Sequence, residues 1–324
     1  MGFLQFIPII IVSAFIIVSI RLLKLLSYKQ HFVSFDFKKE NKNLLYIPNE
    51  EEKNQKILHI KNLTRFGLSC AIVIIGLIIN SFVAGWVLIK NLRQCDNLFW
   101  VLLIVMIIFP IWFISFLVKN PFGEGPLASI IKFVKDENKK INLLSKLLNV
   151  LGGISFYITL FAGCTLLIFP DQTSPSHIYI QNLSQKIFQS RLILFTSSFT
   201  LACGVVVIYF FYSWPIDLVN ESDKRNIRIL ANSLITATGV IFTFLLVLVF
   251  SPITILHQYA IFSLVWSQNG SEGFDRQHWL ENHNLDFSGA DIIMKIFLTA
   301  LPALIAILMR FYWASPAKNT ISGE

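Results

Sequence analysis

Seven long apolar runs spaced along most of the chain limit what this polypeptide can fold into. A helix needs about 20 mostly apolar residues to cross the roughly 30 Å hydrocarbon layer of a bilayer. Only helices and closed barrels satisfy every backbone group there. Phe3–Ile20, Phe66–Ile89, Leu98–Val118, Leu147–Phe169, Leu192–Phe211, Ile229–Phe250 and Ile292–Met309 meet or nearly meet that length. An eighth run, Ile253–Trp266, is shorter and contains His257 and Gln258, so it reads as re-entrant or interfacial. The expected architecture is all-α: a polytopic transmembrane helical bundle of about seven spans.

Composition supports that class. Of 324 residues, 55% are hydrophobic and 14% charged, whereas a soluble domain carries roughly 25% charged residues. Three of the four cysteines, Cys70, Cys164 and Cys203, fall inside apolar runs, where a thiol behaves as a small hydrophobe. Cys95 stands in a polar connection with no partner of the same kind, so four unpaired thiols are expected.

The net charge of +8 is accounted for by orientation. With the N-terminus outside, the inner connections hold twenty-one Lys and Arg and the outer ones six. A bias of that size in short loops sets topology, and it explains the basic balance without a nucleic-acid partner. The first run is expected to remain as a leading helix. No charge precedes it, Arg21 and Lys24 follow it, and no small-residue cleavage site is visible, the reverse of a secretory signal.

These readings divide the chain into a leading helix (1–23), a basic cytoplasmic segment (24–65), a six-span bundle (66–312) and a cytoplasmic tail (313–324). The bundle includes an inner helix (127–146) and an outer loop (251–290). In the inner helix, Ile130, Ile131, Phe133, Val134, Ile141, Leu144 and Leu148 recur at near-helical spacing opposite a lysine-rich face. Such a segment either lies on the inner surface as an amphipathic helix or extends the fourth span. Lys135, Lys139, Lys140 and Lys146 would each add about 1 kcal/mol of attraction to an anionic leaflet. Aromatic-then-proline exits at "FISFLVKNPFGEGP", "YFFYSWPIDLVN" and "RFYWASPAKNT" raise the idea of three tandem hairpins behind the leading helix.

The stretch most like chemistry is "GFDRQHWLENHNLDF", residues 273–287, with two histidines and three carboxylates. On a helix, His278 and Asp286 stand about 12 Å apart along the axis and cannot share a metal. Asp275, His278 and Glu281 remain as candidate ligands, short of the second ligand pair that a bundle metal site draws from another helix. The favoured alternative is an amphipathic outer helix with Phe274, Trp279 and Leu280 on its apolar side. Two N-x-S sequons, Asn182-Leu-Ser184 and Asn269-Gly-Ser271, occupy outer positions.

Ion-coupled transporters keep ionisable residues in mid-span, and here the span centres contain none. The polar groups at that depth are Asn80, Thr159, Thr165, "TSSFT" (196–200) and "NSLITATG" (232–239). They bond their own backbone or the next helix, or they line a path for an uncharged solute, with Thr196, Ser197, Thr200, Asn232 and Thr236 as its candidate residues. Pro8, Pro110 and Pro302 interrupt spans. No nucleotide-binding, hydrolase or channel-filter signature is present, and no cofactor is called for.

Three functions follow. The foremost is a non-enzymatic membrane subunit or scaffold, contacting lipid and other subunits or its own copies, with basic inner loops that dock a soluble partner or anionic lipid. The next is a channel or permease for a neutral or lipid-like solute. The third is an outer-face metal or acid–base enzyme.

Overall fold

The computed structural model describes residues 50–92, 139–167, 176–213, 221–268, 275–285 and 289–314. Among them are six helices and no strand: α1 (Glu50–Leu92), α2 (Lys139–Leu166), α3 (Ser176–Ser213), α4 (Glu221–Gln268), α5 (Arg276–Asn282) and α6 (Gly289–Ala314). Among the described residues four segments are long and apolar enough to cross a membrane: Leu63–Leu92, His177–Tyr212, Ile227–Ser267 and Asp291–Phe311. In α2 the apolar stretch, Val150–Leu166, is shorter. The expected spans Phe3–Ile20 and Leu98–Val118 lie outside the described residues.

Cross-helix contacts fix the direction of each helix. Asn80 and Asn91 of α1 bond Thr159 and Thr165 of α2 in the same order, so α1 and α2 run parallel. The same two asparagines meet Thr196 and Gln189 of α3 in reverse order, so α3 is antiparallel to both. Arg191 and Ser198 of α3 pair with Asp291 and Leu298 of α6, making those two parallel. α4 returns between them, its Ile227–Ile235 stretch beside Tyr209 and Tyr212 and its Ala260–Val265 stretch beside Tyr179 and Leu183. α1 therefore ends at the Asn91 end of the bundle, and α2 starts at the opposite end.

Two levels of charge bound the apolar part. At the Asn91 end, Lys90 stands 5.3 Å from the Trp86 ring centroid, and Arg191, Asp291 and Lys295 form one ion-paired group. At the other end stand Arg65, Arg228 and Arg310. Asp291 and Arg310 are about 28 Å apart along α6 at 1.5 Å per residue, close to the hydrocarbon thickness. Between these levels large apolar side chains face outward, among them Leu68, Ile75, Phe82, Ile293, Phe297 and Leu308. A helix that shows apolar groups to its surroundings at this density is suited to lipid rather than water.

Helices α1 and α2 begin well before the spans expected from hydropathy. α1 begins at Glu50, so residues 50–65 of the basic segment continue the second span as helix. Residues 139–146, with Lys139, Lys140 and Lys146, likewise run without a break into the span-forming part of α2. Lys135 and the remainder of 127–138 lie outside the described residues.

The expectation for Ile253–Trp266 needs correcting. That run neither re-enters nor forms a loop: it is the last part of α4, which stays helical for 48 residues with Pro252 inside it. The cause is lateral support. Ala260, Ile261 and Val265 recur at helical spacing and pack on Tyr179, Leu183 and Ile187 of α3. With Trp279, Leu280 and Leu285 over them, these ends form a small lobe. α3 extends about 22 Å past Arg191 at the helical rise, which hydropathy alone had cut off at Leu192.

Candidate functional site

Asn80 is the polar centre of the bundle. It is buried near the middle of the apolar Leu63–Leu92 part of α1, and its amide donates to Ser155 Oγ at 3.0 Å and Thr159 Oγ1 at 2.8 Å. Its Oδ1 accepts from Thr196 Oγ1 at 2.8 Å and Ser197 Oγ at 3.0 Å. Two donors and two acceptor positions exhaust a carboxamide, so one side chain ties α1, α2 and α3 together. Hydrocarbon offers no competing partner, which is why such a group must be satisfied by protein.

A second junction lies nearer the charged level. Asn91 donates to Gln189 Oε1 at 3.0 Å and Thr165 Oγ1 at 3.3 Å. Gln189 is fully buried, and its Nε2 has no partner among the described residues. Close by, His257 is buried with Nε2 3.3 Å from the Leu166 carbonyl at the end of α2. The Arg191 guanidinium meets both Asp291 oxygens at 3.1 Å, and Lys295 Nζ reaches Oδ2 of the same carboxylate at 3.2 Å. This ion-paired group thus lies at one boundary of the apolar part, and no Asp, Glu, Lys or Arg occupies its middle in the described helices.

In α6, Pro302 has no N–H, so the Leu298 carbonyl one turn earlier lacks its helical donor. Ser198 of α3 donates to that carbonyl. The neighbouring Ala303 N–H donates to Thr243 Oγ1 of α4 at 3.3 Å. Gly239 makes the approach possible: a Cβ there would lie 2.5 Å from Ala306 Cβ and 2.9 Å from the Pro302 carbonyl oxygen.

The solute-path candidates separate. Ser197 and Thr200 line a crevice of about 70 Å³ with Asn80, Ser155 and Thr159. Thr196 is committed to Asn80. Asn232 and Thr236 do not line the crevice; Thr236 bonds the Asn232 carbonyl at 2.8 Å, and Asn232 Oδ1 is buried without a partner among the described residues. Hydropathy reasoning missed Ser155, Gln189 and the Arg191–Asp291 pair. An Asp291–Lys295 spacing of four at a span boundary was the available signal for the last.

The histidine-rich stretch becomes α5. Asp275 caps it, its carboxylate accepting from the Gln277 and His278 amides at 3.0 and 3.3 Å. His278 pairs with Asn282 at 3.1 Å, and Glu281 accepts from Gln277 at 3.1 Å. Trp279 and Leu280 pack on the lobe, as expected of an amphipathic helix. Among the described residues no three His, Cys, Asp or Glu side chains gather as a metal-binding group.

Comparison with known proteins finds no matching family model, curated protein or solved structure. Among the described residues the fold is all-helical, with four helices long and apolar enough to span a membrane, consistent with a multi-pass integral membrane protein. Its buried polar groups join helices to one another.

Proposed function

We propose that this chain is a non-enzymatic membrane subunit, seven spans in all, with its N-terminus outside and its lysine-rich connections facing the cell interior. Those connections, including Lys135, Lys139, Lys140 and Lys146, dock a soluble partner or anionic lipid, and further subunits or copies of the chain pack alongside. The observation that carries the reading is the saturation of Asn80 by Ser155, Thr159, Thr196 and Ser197. Mid-depth polarity is committed to holding helices together, and ionisable groups that would couple ion movement are absent from the described span centres. The parallel course of α1 and α2 supports the seven-span count, because the end of α1 and the start of α2 lie at opposite ends of the bundle. Gentle-detergent purification from the native source tests the role. A stoichiometric partner that is lost when the four lysines are changed to Gln supports it; a chain that purifies alone with its lysines intact contradicts it.

The crevice beside Asn80 favours a second reading, a permease for an uncharged solute. Solute flux into liposomes holding the chain alone, altered by Ser197→Ala or Thr200→Val, would replace the first reading with this one.

A further inference from the structure

The crevice of about 70 Å³ lies among four helices, with Asn80, Ser155, Thr159, Ser197 and Thr200 on one side and Leu246, Val249 and Phe250 of α4 on the other. It sits at mid-depth: Asn80 is about 15 Å along α1 from Lys90 and about 22 Å from Arg65 at the helical rise. We propose that it binds a small uncharged, lipid-soluble molecule carrying one hydrogen-bonding head, such as an alcohol or a ketone.

The hydrogen-bond inventory selects that class. Asn80 has no capacity left. Thr159 and Thr200 donate to the carbonyls of Ser155 and Thr196, and Ser197 donates to Asn80. Ser155 Oγ accepts from Asn80, and its own proton has no acceptor among the described residues. One donor, the Ser155 hydroxyl, and the free lone pairs of Ser197 and Thr200 are therefore offered along one wall, while Leu, Val and Phe line the facing one. A molecule with one acceptor and an apolar remainder matches it. A charged head is excluded by the lack of any counter-charge in the lining. Gly152 belongs to the wall, and a Cβ added there meets nothing within 4 Å, so a larger side chain is accepted at the crevice without a clash.

The inference stands apart from the subunit reading and survives its failure. The test is photolabelling of the purified chain in lipid nanodiscs with a short-chain alcohol bearing a diazirine, with and without excess pentanol, each longer than the crevice and entering it hydroxyl end first. Expected are adducts on the crevice stretches of α2 and α4, suppressed by pentanol. Labelling should fall three- to tenfold in Ser155→Ala, the loss of about one hydrogen bond. It should fall about tenfold or more in Gly152→Leu, where the space is filled, and by an intermediate amount in Gly152→Ala, which keeps the test valid if the larger variant misfolds. Labelling that pentanol does not suppress, or that is equal in all three variants and the wild type, overturns the proposal, as does a crevice that takes up water alone.

Discussion

Ser198 on α3 donates a hydrogen bond to the Leu298 carbonyl on α6, the acceptor that Pro302 leaves without a helical partner. A broken turn in an apolar helix is thereby closed by its neighbour, the general condition for proline within a span. The relationship is testable as a cycle. Ser198→Ala should lower stability by about 0.5–1.5 kcal/mol, the usual range for a bond between membrane helices. In a Pro302→Ala background, where the backbone donor is restored, the same change should cost close to nothing. Unfolding in detergent by the four variants measures the coupling.

Asn80→Leu removes the centre of the three-helix junction. It should destabilise the bundle by about 2 kcal/mol, less than four independent bonds, because Thr159 and Thr196 already bond their own backbone as well. Asn80→Gln should not restore the loss, since the added methylene displaces an amide held on both sides. Thermal unfolding of the purified variants decides this.

Two glycines should respond in opposite ways to a side chain. Gly239→Val places its branch against Ala306 and the Pro302 carbonyl and should cost about 1–3 kcal/mol through overpacking. Gly67→Ala meets nothing within 4 Å and should be neutral or stabilising by up to about 1 kcal/mol, the helix preference of alanine over glycine. Melting temperatures moving in the same direction for both would refute the close α4–α6 packing.

Asp291 holds two cations, Arg191 and Lys295. Asp291→Asn should leave them repelling each other and destabilise by about 1 kcal/mol, discounted because Arg191 is 38% exposed. The deficit should shrink as salt is raised, owing to screening at the bundle end. Stability titrated against salt in both proteins checks the sign.

How far the sequence could be read depended on which physical signal each element carries. Apolar length alone located the cores of α1, α3, α4 and α6, because lipid exposure demands it. Asn80 and Thr159 were recognisable as mid-span polar groups with helix partners. The lobe was hidden because its helices are amphipathic rather than apolar: Tyr179, Leu183 and Ile187 recur every four residues among polar neighbours, a period that a hydropathy window averages away. Pro252 and His257 made the end of α4 look like an interruption, whereas packing on α3 carries the helix through. Pairings such as Arg191 with Asp291, a hundred positions apart, depend on which helices lie side by side, and one sequence does not encode that legibly.

The most direct test of the membrane arrangement uses single-cysteine variants and a thiol reagent that cannot cross membranes. With Cys70, Cys164 and Cys203 replaced by Ser, Cys95 alone should be labelled from outside intact cells. A variant with Cys95→Ser and Lys139→Cys should be labelled only after the membrane is opened. Labelling of both positions from the same side would contradict the parallel course of α1 and α2 across the bilayer, and with it the placing of the lysine-rich connections inside.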